Sequence, residues 1–154
     1  MYINKYSLIK GIIDDDSNYK LENVIFNNIK TSSKAILKFD NKDVFINNIE
    51  VDNISCTGDN GFSSFILFNS EYSDNTLNIA NSNFRNSFSN GPFIKIVGNT
   101  NKFILENTSI NNITSYGPII ENNSIKVFNF FISFFFFFFF FLKKIINFLI
   151  NLFY

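Results

Sequence analysis

Leu21-Glu-Asn-Val-Ile-Phe-Asn-Asn28 is the stretch that decides the fold, because its pattern returns three times. The later copies begin at Ile46, Ile79 and Leu105. Each reads aliphatic, any, Asn, any, any, apolar, any, Asn. The first Asn of the pattern is Asn23, Asn48, Asn81 and Asn107, and the second is Asn28, Asn53, Asn86 and Asn112. The apolar residue between them is Phe26, Val51, Phe84 and Ile110. The copies step by 25, 33 and 26 residues, a period that marks a solenoid or array built of one supersecondary unit per repeat.

Working outward, a second landmark follows each copy. It is a small residue or Gly-Pro before an apolar pair: Ala35-Ile-Leu37, Ser64-Phe-Ile66, Gly91-Pro-Phe-Ile94 and Gly117-Pro-Ile-Ile120. Polar, turn-forming stretches such as Thr31–Lys34 and Ser87–Asn90 lie between the landmarks. The long second step assigns extra loop to Thr57–Gly61 and Asn69–Asn75, since insertions in a repeat map to loops. The pattern predicts a coil of about 25 residues per turn with two or three short strands rich in Ile, Phe and Val. Each strand is expected to pair in parallel with its equivalent one turn away, at roughly 4.8 Å. Asn suits the corners because it tolerates left-handed backbone and bonds locally to the chain. Asn stacked at equal positions can also pass amide hydrogen bonds along the axis. A leucine-rich repeat fits less well: it wants an apolar residue where Ser82 and Thr108 stand, and its Asn falls one place later.

The pattern resembles the right-handed parallel β-helix repeats of the pectin-lyase-like superfamily, and within it adhesin or polymorphic-membrane-protein repeats. The resemblance rests on Phe26-Asn-Asn28 and Phe84-Arg-Asn86, with Gly91-Pro-Phe-Ile94 and Gly117-Pro-Ile-Ile120 as weakened forms of a Gly-Gly-Ala-Ile motif. It implies an all-β fold, a short right-handed parallel β-helix of about four turns. The superfamily's polygalacturonase-like enzymes carry Asp clusters with Gly-His-Gly and Arg-Ile-Lys motifs. This chain has no His and no Arg-Ile-Lys.

The absence of His removes a Ser-His triad, a Cys-His pair and any His metal ligand. Cys56 is the only cysteine, so no internal disulfide forms; it reads as a small semi-buried side chain. Basic and acidic residues balance at 13 each, and Arg85 is the single arginine, which argues against a nucleic-acid partner. Asp14-Asp-Asp16 reads as a solvated loop, with calcium as the minor alternative. Arg85 reads as an outward strand residue rather than a lyase base. The expectation is no catalytic apparatus and no cofactor. The 27 Asn and 23 Phe also match the codons of an AT-rich genome, although that bias does not place the Asn at repeat positions.

Three regions follow: a lead-in or partial cap over 1–20, repeats over 21–126, and a Phe-rich hydrophobic tail over 127–154. Val127–Leu142 is apolar apart from Asn129 and Ser133, and Phe134–Phe141 is an unbroken run. Three readings of the tail stay open. One is a helix over 127–142 that enters a membrane, spanning roughly 24 Å at 1.5 Å per residue, with Lys143 and Lys144 on the cytoplasmic side. The others are a T-rich stretch outside the authentic frame, and a fifth solenoid turn begun by Ile125–Phe130. The N-terminus lacks the uninterrupted apolar core of a signal peptide, and the chain is expected to be a fragment. Asn53, Asn107, Asn112 and Asn122 head glycosylation sequons; at Asn53 and Asn112 a packed ladder and a glycan would compete. The functional expectation is a non-catalytic scaffold or adhesion-type module at a membrane or cell surface, with a glycan or protein ligand on its loops. The alternatives are an incomplete piece of a polysaccharide-active β-helix and a non-functional gene fragment.

Overall fold

The computed structural model describes residues 9–11, 18–58 and 63–132, with 9–11 and 125–132 as backbone. Twelve strands fill most of this length and no helix occurs among the described residues. In chain order they are β1 (Ile9–Gly11), β2 (Tyr19–Glu22), β3 (Ile25–Thr31), β4 (Ala35–Asp40), β5 (Val44–Asn47), β6 (Glu50–Cys56), β7 (Ser64–Asn69), β8 (Asp74–Ala80), β9 (Asn83–Ser89), β10 (Ile94–Glu106), β11 (Ser109–Ser115) and β12 (Ile120–Ile132). Every pairing is parallel and joins a strand to its equivalent one turn away. The result is a β-solenoid of about four turns.

The coil has three faces. One is formed by β1, β4, β7 and the first half of β10. The next holds β2, β5, β8 and the second half of β10. The third is the separate sheet β11-β9-β6-β3. β12 pairs along both halves of β10, so the first two faces fuse at the C-terminal end into one bent sheet. The repeat explains this arrangement. Each turn supplies three short runs of inward apolar residues, and a parallel neighbour one turn away satisfies the backbone of each.

Inward residues stack like on like. Leu37, Ile66, Ile94 and Ile120 share one register column. Leu21, Ile46, Ile79 and Leu105 form a second, and Phe26, Val51, Phe84 and Ile110 a third. An aromatic group sits in the middle of the core. Phe65 stacks on Phe93 at 5.3 Å and meets Phe26 edge-on at 5.4 Å. Phe84 closes the group at 6.0 Å from both Phe65 and Phe93. Offset-stacked and edge-to-face pairs of this kind add to the burial of the rings themselves.

The lead-in contributes to the coil, since β1 pairs with β4 and Tyr19 already opens β2. Asp14–Asp16 lies outside the described residues. At the other end, the helix expected from residue 127 is corrected over its first six residues. β12 continues through Ile132, pairing Phe130 with Phe103 and Ile132 with Leu105. The parallel edge of β10 offers hydrogen-bond partners along the whole segment, and β-branched and aromatic residues favour an extended backbone. Residues 133–154, which hold the rest of the expected helix, lie outside the described residues. Among the described residues no helix is long and apolar enough to cross a membrane.

Candidate functional site

The eight repeat asparagines all take left-handed backbone, with φ between 45° and 57°. Asn23, Asn48, Asn81 and Asn107 each form the two-residue corner between the second and third faces. Asn28, Asn53, Asn86 and Asn112 lie inside β3, β6, β9 and β11. There each places two outward residues in succession between inward ones, as in Phe84 in, Arg85 and Asn86 out, Ser87 in. That is the action of a bulge, which bends a strand by inserting one unpaired residue. For most side chains the left-handed region costs about 1–2 kcal/mol, and Asn is among the few that visit it routinely. The spacing of the asparagines is therefore the spacing of the bends.

All eight side chains are exposed and run as two columns along the coil. In each, the amide nitrogen of the later turn donates to an oxygen of the earlier one. Asn48 donates to Asn23 at 2.6 Å and Asn107 to Asn81 at 3.3 Å. Asn53 donates to Asn28 at 2.5 Å and Asn112 to Asn86 at 2.9 Å. Between the second and third turns both columns change acceptor. Asn81 donates to Asn47, and Asn86 donates to Asp52, each at 2.9 Å. The switch falls at the long second step. The sequons at Asn53, Asn107 and Asn112 are thus exposed, with their amide nitrogens donating into the columns. Asn122 is half-buried and accepts from Ser124.

The hydroxyls after the asparagines were not anticipated as functional parts of the corner. After three of the bends, those at Asn48, Asn53 and Asn81, the next N–H is met by a hydroxyl of the following turn. Ser82 Oγ accepts it from Ile49 at 3.3 Å, Ser87 Oγ from Ile54 at 3.1 Å, and Thr108 Oγ1 from Ser82 at 3.3 Å. Each hydroxyl also donates two residues back: Ser82 to the carbonyl of Ala80, Ser87 to that of Arg85 and Thr108 to that of Glu106. A buried N–H without an acceptor would cost about 1–3 kcal/mol, so these hydroxyls stand where an apolar residue of a leucine-rich repeat could not serve. The signal was present in Asn81-Ser, Asn86-Ser and Asn107-Thr, where a hydroxyl directly follows the bend.

Arg85 lies on the outward side of β9 with its Nε 3.0 Å from Asp52. The amide of Asn86 and then the guanidinium of Arg85 hold the half-buried Asp52 carboxyl below its ordinary range. Any stabilisation from that pair is present above the unfolded carboxyl's pKa and is lost as pH falls through the lowered one. Cys56 is fully buried, and burial pushes its thiol up to about 12, which leaves it protonated and unreactive at neutral pH. Among the described residues no group of three carboxylate, thiol or imidazole side chains is placed to hold a metal ion.

Two connections fall at the long second step: 57–63 between β6 and β7, of which 59–62 lie outside the described residues, and 70–73 between β7 and β8. The second is tied down: Glu71 has φ 50° and donates its N–H to Asn69 Oδ1 at 3.1 Å. Its carbonyl accepts from Asn99 at 2.8 Å. Tyr72, at the tip, is 88% exposed. Comparisons of the chain with protein-family models, curated proteins and solved structures returned no match. The fold and its asparagine columns define a parallel β-solenoid.

Substitutions at Asn48 should grade with how well each residue tolerates positive φ. Asn48→Gly keeps the backbone and loses one exposed amide bond, so urea denaturation of the full chain should show a loss below about 1 kcal/mol. Asn48→Ala should cost about 1–2 kcal/mol, and Asn48→Val more, because a β-branched residue is a true outlier at positive φ. Equal losses for all three would mean that the left-handed bend does not set the preference.

Proposed function

We propose that the chain is a non-catalytic scaffold of adhesion type, held at a membrane or cell surface, which presents its loops to a glycan or protein ligand. The observation that carries this reading is the Ser70–Ser73 connection, where a pinned backbone lifts the exposed ring of Tyr72 away from a regular frame. Loops positioned by a rigid scaffold are where binding residues concentrate. A tyrosine supplies a flat apolar face and a polar tip at low entropic cost. The Phe26-Asn-Asn28 and Gly91-Pro-Phe-Ile94 motifs support the finer assignment to pectin-lyase-like repeats. A right-handed coil is the sense favoured for parallel connections. The hydrophobic run at 127–142 is the element proposed to attach the coil to a membrane.

Two measurements on the full chain test the proposal. Incubation with polygalacturonate is expected to release no new reducing ends, and their appearance would overturn the non-catalytic reading. On a panel of immobilised acidic and neutral polysaccharides and host-surface proteins, Tyr72→Ala should lower retention about tenfold. That is the loss expected for an aromatic anchor worth somewhat over 1 kcal/mol. Unchanged retention on every surface would remove the loop from the argument.

A further inference from the structure

The third face ends one strand sooner than the other two. β12 pairs along β10, and Phe103 and Leu105 in β10 are buried. β11 pairs with β9 below and has no strand above it among the described residues. The end of the core is open there. Ile110 and Ile113 are half-buried, while Val51 and Phe84, which hold the column of Ile110 in the middle turns, are buried. Both asparagine columns stop at the same level. Asn107 and Asn112 donate to the turn below, and no described residue donates to their oxygens. The result is a slot for one strand, with an apolar floor and a sheet edge open to pairing.

The chain itself leads into this slot. β12 runs in register with β10 as far as the pair Ile132 and Leu105, an offset of 27 residues. In each earlier turn a corner after this column opens the third face. Carried on, the offset sets residues 136–142 opposite the seven residues of β11. Phe137 and Phe140 would then stand over Ile110 and Ile113. The first charge, Lys143, would fall opposite Tyr116, where β11 has ended. An apolar run of matching length over an apolar floor is buried favourably. A second copy of the chain does not fit instead. Its β3 would bring its own β2 to the level that β12 already holds. A strand from another protein would compete with one tethered at the mouth of the slot, at an effective concentration of about millimolar. The misfit is confined to two positions. Phe134 and Phe139 fall opposite Asn107 and Asn112, where the repeat has Asn at positive φ.

We propose that residues 136–142 dock on the free edge of β11 as the strand that closes a fifth turn. The inference goes beyond the membrane reading and does not rest on it, since docking is read with no lipid present. The full chain, kept in one zwitterionic detergent, is melted and followed by circular dichroism. Phe139→Asn restores the bend residue and should raise the melting temperature by about 2–4 °C. Phe137→Asn sets an amide over Ile110 and should lower it by at least as much. Phe138→Asn, at an outward position, should change it little. Equal shifts for all three would overturn the proposal, because an undocked tail has no bend, inward or outward position. A cross-link checks the register. Asn111→Cys with Phe138→Cys, oxidised with diamide, should close a disulfide within one chain, since paired residues of neighbouring strands stand about 4.8 Å apart. Asn111→Cys with Phe141→Cys should not, and the buried Cys56 does not compete. Closure only between chains would put a second copy in the slot. Equal closure of both pairs, or of neither, would leave the slot without its strand. Each of these outcomes overturns the proposal.

Discussion

Replacing Phe65 by alanine will lower the unfolding free energy of the chain by about 3–5 kcal/mol, the range for deleting a fully buried aromatic ring. Phe65 is 0% exposed and touches three other rings, one stacked and two edge-on. Its neighbours come from the two adjoining turns: Phe26 from the first, Phe84 and Phe93 from the third. The surrounding backbone cannot collapse into the hole, because β7 is held on both sides, by β4 and by β10. The cost should therefore lie toward the upper end. Phe65→Leu should cost about 1–1.5 kcal/mol, as a smaller hydrophobe that keeps much of the contact. Phe45→Ala is the control. Phe45 faces outward on β5 and should cost less than about 1 kcal/mol. Urea titration followed by circular dichroism measures all three. Equal losses for Phe65→Ala and Phe45→Ala would refute the placement of the aromatic core.

The same substitution tests how the coil holds together. In a solenoid each turn contacts only its neighbours, and stability is close to a sum of turn and interface terms. Phe65 bridges the second turn to the first and third. Its loss should lower the cooperativity of unfolding as well as the midpoint, seen as a broader transition with a smaller denaturant slope. Hydrogen exchange should then show β2–β6 and β8–β11 opening with different free energies.

Much of this coil was legible in the sequence because one residue type does a job few others can. A bend that requires positive φ favours Asn, so the eight repeat asparagines mark bends, and Asn41, outside the pattern, takes φ 59° as well. The apolar residues between them mark inward positions for the same reason. What could not be read is the change of acceptor from Asn48 to Asn47 and from Asn53 to Asp52. An amide nitrogen can reach either oxygen, and spacing alone does not choose. The fusion of two faces in β10 and β12 was also hidden. Asn99-Thr-Asn101 looks like any polar corner, yet the chain passes Gly98 without leaving the sheet. The Tyr72 loop was located by the long step, but its exposure depends on how Glu71 and Gly98 meet, which is tertiary.

That meeting point carries the other large effect. Gly98→Ala will destabilise the chain by about 2–4 kcal/mol, combining backbone strain with crowding. Gly98 has φ 128°, a conformation that L side chains rarely adopt. A Cβ there would lie 2.1 Å from Ser70 Oγ, 3.0 Å from the Glu71 nitrogen and 3.1 Å from the Ser70 nitrogen. The hydroxyl can move aside but the backbone atoms cannot, because Ser70 donates its N–H to the Val97 carbonyl at 3.1 Å. The two contributions separate experimentally. In a Ser70→Gly background the hydroxyl clash is gone and the strain remains. Gly98→Ala should then cost about 1–3 kcal/mol, from the strain and the crowding against backbone that remain. Because the bend at Gly98 also receives the Ser70–Ser73 connection, the substitution should raise the hydrogen-exchange rate at Glu71 and Asn99 before the coil melts. If Gly98→Ala is neutral in both backgrounds, β10 does not turn from the first face to the second at this residue.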